Sequence, residues 1–176
     1  GEFSEAGLVK FLRQIEVAVE TDHEFYQIFN DGPTTAAYIV ELYGACSAIM
    51  MRDFNCRLDL VFARIWDTPT EPFSADLDPF REYWQANMGA VKRDNAQLFS
   101  GRADKPGGVA WLNSICNGNA YSFCGNAVGF FADPDTSSVW GYDPLVAAHE
   151  LGHNFGSQHD HDYGIDDCGD INVVPT

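Results

Sequence analysis

Apolar positions recur along the chain at two rhythms, and where one gives way to the other the elements can be read. Ile15, Val17 and Val19 alternate with polar or small residues after Leu8-Val9 and Phe11-Leu12, which predicts a strand. Thr21-Asp22 offers an N-cap for a short helix through Phe29, and Asn30-Asp31-Gly32-Pro33 is a turn cluster. From Thr34 the rhythm changes: Ile39, Leu42, Cys46, Ile49 and Met50 follow the spacing of one helix face and predict a core helix. Leu58, Leu60 and Phe62 return to alternation in a strand that ends near Trp66, where Thr68-Pro69-Thr70-Glu71-Pro72 breaks it. A second helix is predicted from about Asp76 to Asp94, with Leu77, Phe80, Trp84, Met88 and Val91 along one stripe.

Two short strands are expected next, at residues 94–101 and 108–112, joined by a polar loop with glycine. Asn117 to Gly125 reads as loop, Ala127 to Phe131 as a short strand, and Asp133 to Ser138 as a second loop. Asp143 followed by Pro144 marks a helix start, the carboxylate capping and the proline at the first helical position. That helix carries Leu145, Val146, His149 and His153 and stops at Gly156. Strand and helix alternating predicts an α/β fold, a sheet layered with helices.

Composition narrows the class. At 176 residues the chain is one domain by length (1–176), with enough apolar and aromatic residues for a core without disulfides. A formal net charge of −16 argues against nucleic-acid partners and against docking on an anionic membrane. It leaves a solvated acidic surface, a taste for basic substrates, or a Ca²⁺ site. There is no run of 18 apolar residues, so no membrane span is expected, and no signal peptide is visible. Gly1-Glu2-Phe3 is consistent with a remnant of expression or processing.

Repeats, low-complexity tracts and Asn-x-Ser/Thr sequons are lacking. Five cysteines contain no Cys-x-x-Cys pair, which disfavours a zinc ribbon and points to disulfides in an oxidising compartment. Cys46 with Cys56, and Cys116 with Cys124, bracket short segments and could close local loops. Cys168 is then free or paired beyond this chain.

The chemistry concentrates in His149-Glu150-Leu151-Gly152-His153-Asn154-Phe155-Gly156-Ser157-Gln158-His159-Asp160. Residues four apart on a helix share a face, so His149 and His153 can aim two imidazoles at one point. Catalytic zinc takes three protein ligands and leaves a fourth position open. The next positions on that face are Gly156 and Ser157, neither a zinc ligand, so the chain must turn before a third ligand can arrive. Gly156 can take a positive φ at no steric cost, and His159 can then swing back. Glu150, next to the first ligand, falls beside the metal, where a carboxylate can serve as base toward a water the metal activates.

With those residues in place, the motif resembles the metzincin clan of zinc endopeptidases. Leu151-Gly152, Asn154 and His159-Asp160 are most similar to its adamalysin/reprolysin branch, a likeness running from about Ile15 to Asp160. The resemblance implies metal ligands His149, His153 and His159, general base Glu150, and a supporting role for Asp160. It implies a twisted, mixed and mostly parallel sheet of about five strands with an antiparallel edge strand, packed with helices including a long active-site helix. It also implies that substrate adds as an extra antiparallel strand along Gly108, Val109, Ala110 and Trp111, by β-augmentation.

One departure stands out. The clan carries a methionine turn beneath the zinc after the third histidine, whereas Met50, Met51 and Met88 all lie upstream. Truncation, a cleavage that leaves the C-terminal remainder on another chain, or divergence would explain it, and the C-terminal subdomain is expected to be largely absent. His161 is a second imidazole able to replace His159. The expectation is a secreted, Zn²⁺-dependent endopeptidase acting on protein or peptide substrates, with a zinc-stabilised, proteolytically inactive binding module as the alternative.

Overall fold

The computed structural model describes residues 12–115, 117–130, 142–159 and 162. The order of elements is β1 (Arg13–Thr21), α1 (His23–Phe29), α2 (Gly32–Phe54), β2 (Cys56–Ile65), α3 (Leu77–Asn87), β3 (Asn95–Phe99), β4 (Gly107–Ala110), β5 (Tyr121–Gly125) and α4 (Tyr142–Phe155). The sheet runs β2-β1-β3-β5-β4, parallel throughout except for β4, which pairs antiparallel with β5 at one edge. This is the mixed, mostly parallel sheet with an antiparallel edge that was expected.

Helices α1, α2 and α3 begin where a short polar side chain can take up their free N–H groups. Asp22 accepts from Phe25 N–H and Asp31 from Thr34 N–H, while Asp76 accepts from Leu77 N–H. Asn30 and Asn55 end α1 and α2 in the left-handed region, which asparagine tolerates.

Both faces of the sheet are covered, so strands carry apolar residues on both sides. On one face Val17, Val19, Phe99 and Cys124 pack with Phe25 of α1, Ile39, Leu42 and Met50 of α2, and Ala147 and Leu151 of α4. On the other, Ala18, Ala96, Leu98, Tyr121 and Phe123 meet Phe80 and Trp84 of α3. By length and composition α2 could cross a membrane, with a mean hydropathy of 1.2 over its most apolar window. Its buried face belongs to the first of these two cores.

Five expectations change. The 117–125 segment is loop only at its start: Tyr121–Gly125 is β5, wholly buried between β3 and β4. Its four-residue alternation was masked by the asparagines and glycine before it. Residues 127–130 form no strand, because Ala127 N–H bonds Ser100 C=O while Val128 and Gly129 give their N–H groups to the Asp143 carboxylate. That carboxylate therefore does not cap its own helix as expected.

The second helix ends at Asn87, seven residues short of Asp94. Asp94 instead leads into β3, its N–H bonding Glu16 C=O and its carboxylate accepting from Glu16 N–H. Finally, Cys46, Cys56 and Cys124 are free buried thiols, so neither local disulfide forms. Cys46 lies on α2 beneath Pro144 C=O, to which its thiol points at 3.9 Å. Cys116, Cys168, Asp160 and His161 lie outside the described residues, as does the loop expected at 133–138.

Candidate active site

Helix α4 ends in a Schellman turn. Gly156, at φ 103°, lets Gly156 N–H bond His153 C=O and Ser157 N–H bond Gly152 C=O, each at 2.9 Å. The chain then doubles back. His159 Nε2 stands 3.1 Å from both His149 Nε2 and His153 Nε2, and the three ligand atoms lie within 4.8 Å of one another. The glycine exit thus performs the turn that the motif's spacing demanded.

The three rings fit a metal by more than proximity. His153 Nδ1 lies 2.7 Å from Ser157 C=O, which fixes it as the N–H tautomer and leaves Nε2 with its lone pair toward the common centre. His159 N–H donates to Asp162 Oδ2 at 3.3 Å, and that carboxylate is also 3.9 Å from His159 Nδ1. Asp162 is thus a supporting residue of His159, while Asp160, to which the resemblance gave such a role, lies outside the described residues. Among the described residues this is the one group of three or more His, Cys, Asp or Glu that could hold a metal, so no acidic cluster for calcium is found there.

Glu150 is 3% exposed, and its Oε2 is buried without a hydrogen-bond partner. Burial pushes its carboxyl up to about 7. Room for that carboxyl comes from Gly108: a Cβ there would lie 2.5 Å from Glu150 Oε1 and 2.7 Å from Cδ. Glycine inside a strand marks a close approach, and Gly107-Gly108 carried that signal. The approach to Glu150, forty-two positions away, could not be read from it.

The groove between β4 and α4 holds about 890 Å³. Gly107 to Ala110 and Leu112 form one wall, Leu145, Val146, His149, Glu150 and His153 the other, with His159 and Asp162 at the rim. Gly108 and Ala110 face α4, while Val109 and Trp111 face the α3 side, as alternation requires. Val109 still meets the groove, whereas Trp111 lies outside its lining, its ring beneath the Arg81 guanidinium at 5.2 Å. Of the four residues expected to meet substrate, Gly108, Val109 and Ala110 line the groove.

Trp111 N–H bonds Tyr121 C=O at 3.3 Å, and the register sets Val109 against Phe123. Residues 107, 109 and 111 therefore turn their backbone groups to β5. Gly108 and Ala110 turn theirs to the open edge.

The last turn of α4 is bound to the sheet by Asn154, which is fully buried. Its Nδ2 donates to Trp111 C=O at 2.8 Å, Ser114 Oγ at 3.0 Å and Tyr121 C=O at 3.2 Å, and its Oδ1 accepts from Asn95 Nδ2 at 2.6 Å. Asn113 N–H caps His153 C=O, and Ser114 N–H caps Asn154 C=O. At the first turn Asp143, raised by burial, accepts from Tyr38 OH at 2.6 Å besides its two loop amides. None of these roles could be told from the residues' positions in the chain, because each partner lies on a different element.

Comparison with known proteins agrees with this geometry. The family model Reprolysin_5, metallo-peptidase family M12, matches residues 12–172. The chain is 30% identical over 166 residues to the zinc metalloproteinase-disintegrin-like atragin of Naja atra, covering 89% of this chain and 25% of that protein. It is 30% identical over 159 residues to disintegrin and metalloproteinase domain-containing protein 1 of Rattus norvegicus, covering 84% and 19%. Among solved structures, metalloproteinase-II from Bacteroides fragilis shares the fold at a TM-score of 0.50 and 15% identity, over 85% of this chain and 44% of that one. The chain spans a quarter or less of the length of these two curated relatives. With its histidine triad, its mixed sheet and a family match over most of its length, the chain belongs to the M12 metallopeptidases, in their reprolysin/adamalysin branch.

Proposed function

We propose that this chain is the catalytic unit of a zinc-dependent endopeptidase that binds its substrate as an added strand on β4. The observation that carries the reading is the pairing of three convergent imidazoles with a buried, unpartnered Glu150 carboxylate in one groove. His149, His153 and His159 would hold the metal. Bound there, zinc supplies Lewis-acid polarisation of the scissile carbonyl and makes water acidic enough to lose a proton near neutrality.

The rest belongs to the chain's own groups. Glu150 accepts the proton of the attacking water and returns it to the departing amine. Its Oε2, enclosed and without a hydrogen-bond partner, is left to take that proton. Gly108 and Ala110 offer N–H and C=O groups to an extended peptide backbone of any sequence, and Leu112, Leu145 and Val146 form apolar walls for its side chains. Extracellular action belongs to the same proposal and rests on the kinship alone, since the local cysteine pairs are unbonded.

A quenched-fluorescence peptide assay with a chelator control tests this. Cleavage that is lost with the metal, restored by zinc, and reduced about 10²–10⁴-fold in Glu150→Ala is expected. Metal-dependent cleavage that survives this substitution would refute Glu150 as base. Peptide binding without cleavage would favour an inactive binding module, whose site would have no use for a base.

A further inference from the structure

Two side chains of α4 close the two ends of the β4–β5 ladder. Gly107 and Gly125 are register partners, and the Tyr142 hydroxyl stands between them, accepting from Gly107 N–H at 2.7 Å and donating to Gly125 C=O at 3.1 Å. In an uninterrupted ladder those two groups bond each other directly. At the far end Asn154 Nδ2 bridges Trp111 C=O and Tyr121 C=O. Between these two points Gly108 backs onto the Glu150 carboxyl. The helix that carries Glu150 therefore grips the edge strand on either side of it.

We propose that Tyr142 is a positioning residue whose hydroxyl, wedged into the ladder, sets the distance of the Gly107 end of β4 from β5 and so aligns the substrate residues that follow the cut bond. The substrate half of this rests on the endopeptidase reading; the wedge itself does not. Without the hydroxyl, Gly107 N–H and Gly125 C=O face each other across a gap. The ring that remains keeps them from closing on each other, so they take up water and the start of β4 loosens. Gly108 then moves relative to Glu150, while the Asn154 end keeps its own bonds.

A peptide added antiparallel to β4 lays its C-terminal residues along the start of that strand and its N-terminal residues along the end. The consequence is one-sided.

The test uses Tyr142→Phe in the zinc-loaded chain, with one peptide lengthened by two residues on either side of the cut. The benefit of C-terminal lengthening should fall about tenfold through KM, with that of N-terminal lengthening and the zinc content unchanged. Amide hydrogen exchange gives the second readout: Gly107 exchanges about tenfold faster in the variant and Trp111 at its former rate. An unchanged Gly107 amide, or an equal loss on both sides of the cut, overturns the proposal. If the unsubstituted chain cuts no peptide, the endopeptidase reading fails and exchange alone decides: a faster Gly107 beside an unchanged Trp111 upholds the wedge, and no change at Gly107 removes it.

Discussion

At the scale of single residues, the site depends on a side chain that is missing. Glu150 can lie against β4 because Gly108 has no Cβ, and a methyl group there would meet three atoms of the Glu150 side chain at 2.5–2.7 Å. Such distances force a shift. Gly108→Ala should therefore displace the carboxyl by about an ångström and lower kcat about 10²-fold, with zinc content and melting temperature nearly unchanged. Steady-state kinetics beside metal analysis checks this, and an active Gly108→Ala enzyme would mean that the strand yields instead of the glutamate. The place of Glu150 beside the imidazole cluster was legible from its position next to His149, since the sequence neighbour of a helical residue falls on the adjoining face. The glycine that makes room for it was not.

Among the elements, α4 decides how firmly the candidate ligands are held. Two of the three lie on a helix packed through Ala147 and Leu151 into the core and tied at its last turn by Asn154. Removing zinc with a chelator should therefore abolish cleavage and lower the melting temperature by the lost binding free energy, while far-UV circular dichroism keeps its helical signal. Collapse of that signal would show that the metal, not the core, holds α4.

Asn154→Ala strips partners from Trp111 C=O, Tyr121 C=O and Asn95, all at a buried junction. A loss of about 2–4 kcal/mol is expected in chemical denaturation. Asn154→Asp should also destabilise, because a carboxylate cannot donate to the two carbonyls. At this scale most helices were readable, since capping and 3.6-residue periodicity are properties of neighbouring residues. The misassigned β5 shows the limit: its strand character comes from lying between β3 and β4, and asparagine and glycine just before it imitate a loop.

Taken whole, the molecule is strongly acidic, at −16, and its buried carboxyls act in the same sense as that excess charge. Burial raises Glu20, Asp22 and Asp143 above their ordinary values. Each then binds its proton more tightly folded than unfolded, so the stability it contributes is full below about pH 4 and is lost as pH rises through the raised value. Lowering the pH also relieves repulsion among the surface charges. Glu150, raised by burial to about 7 in the metal-free chain, acts likewise, so that chain should melt at a higher temperature at pH 5.5 than at pH 8, and a flat or opposite profile in calorimetry would contradict this. The same field should draw cationic peptides. Raising ionic strength from about 0.01 to 0.15 M should lower kcat/KM for a peptide of several lysines more than for a neutral one of equal length.

Sequence alone determined what consecutive residues can settle. Two histidines a turn apart share a helix face, a glycine after them permits the bend, and a third histidine lies within reach of that bend, because helical repeat and backbone freedom act over a few residues. Tertiary structure decided everything that joins distant segments. It set Gly108 against Glu150, placed β5 inside the sheet, left Cys46, Cys56 and Cys124 as separate thiols, turned Trp111 away from the groove, and brought Tyr142 and Asn154 to the two ends of the edge strand. Contacts of that kind depend on how the sheet and helices stack, and nothing local in the chain encodes the distance between them.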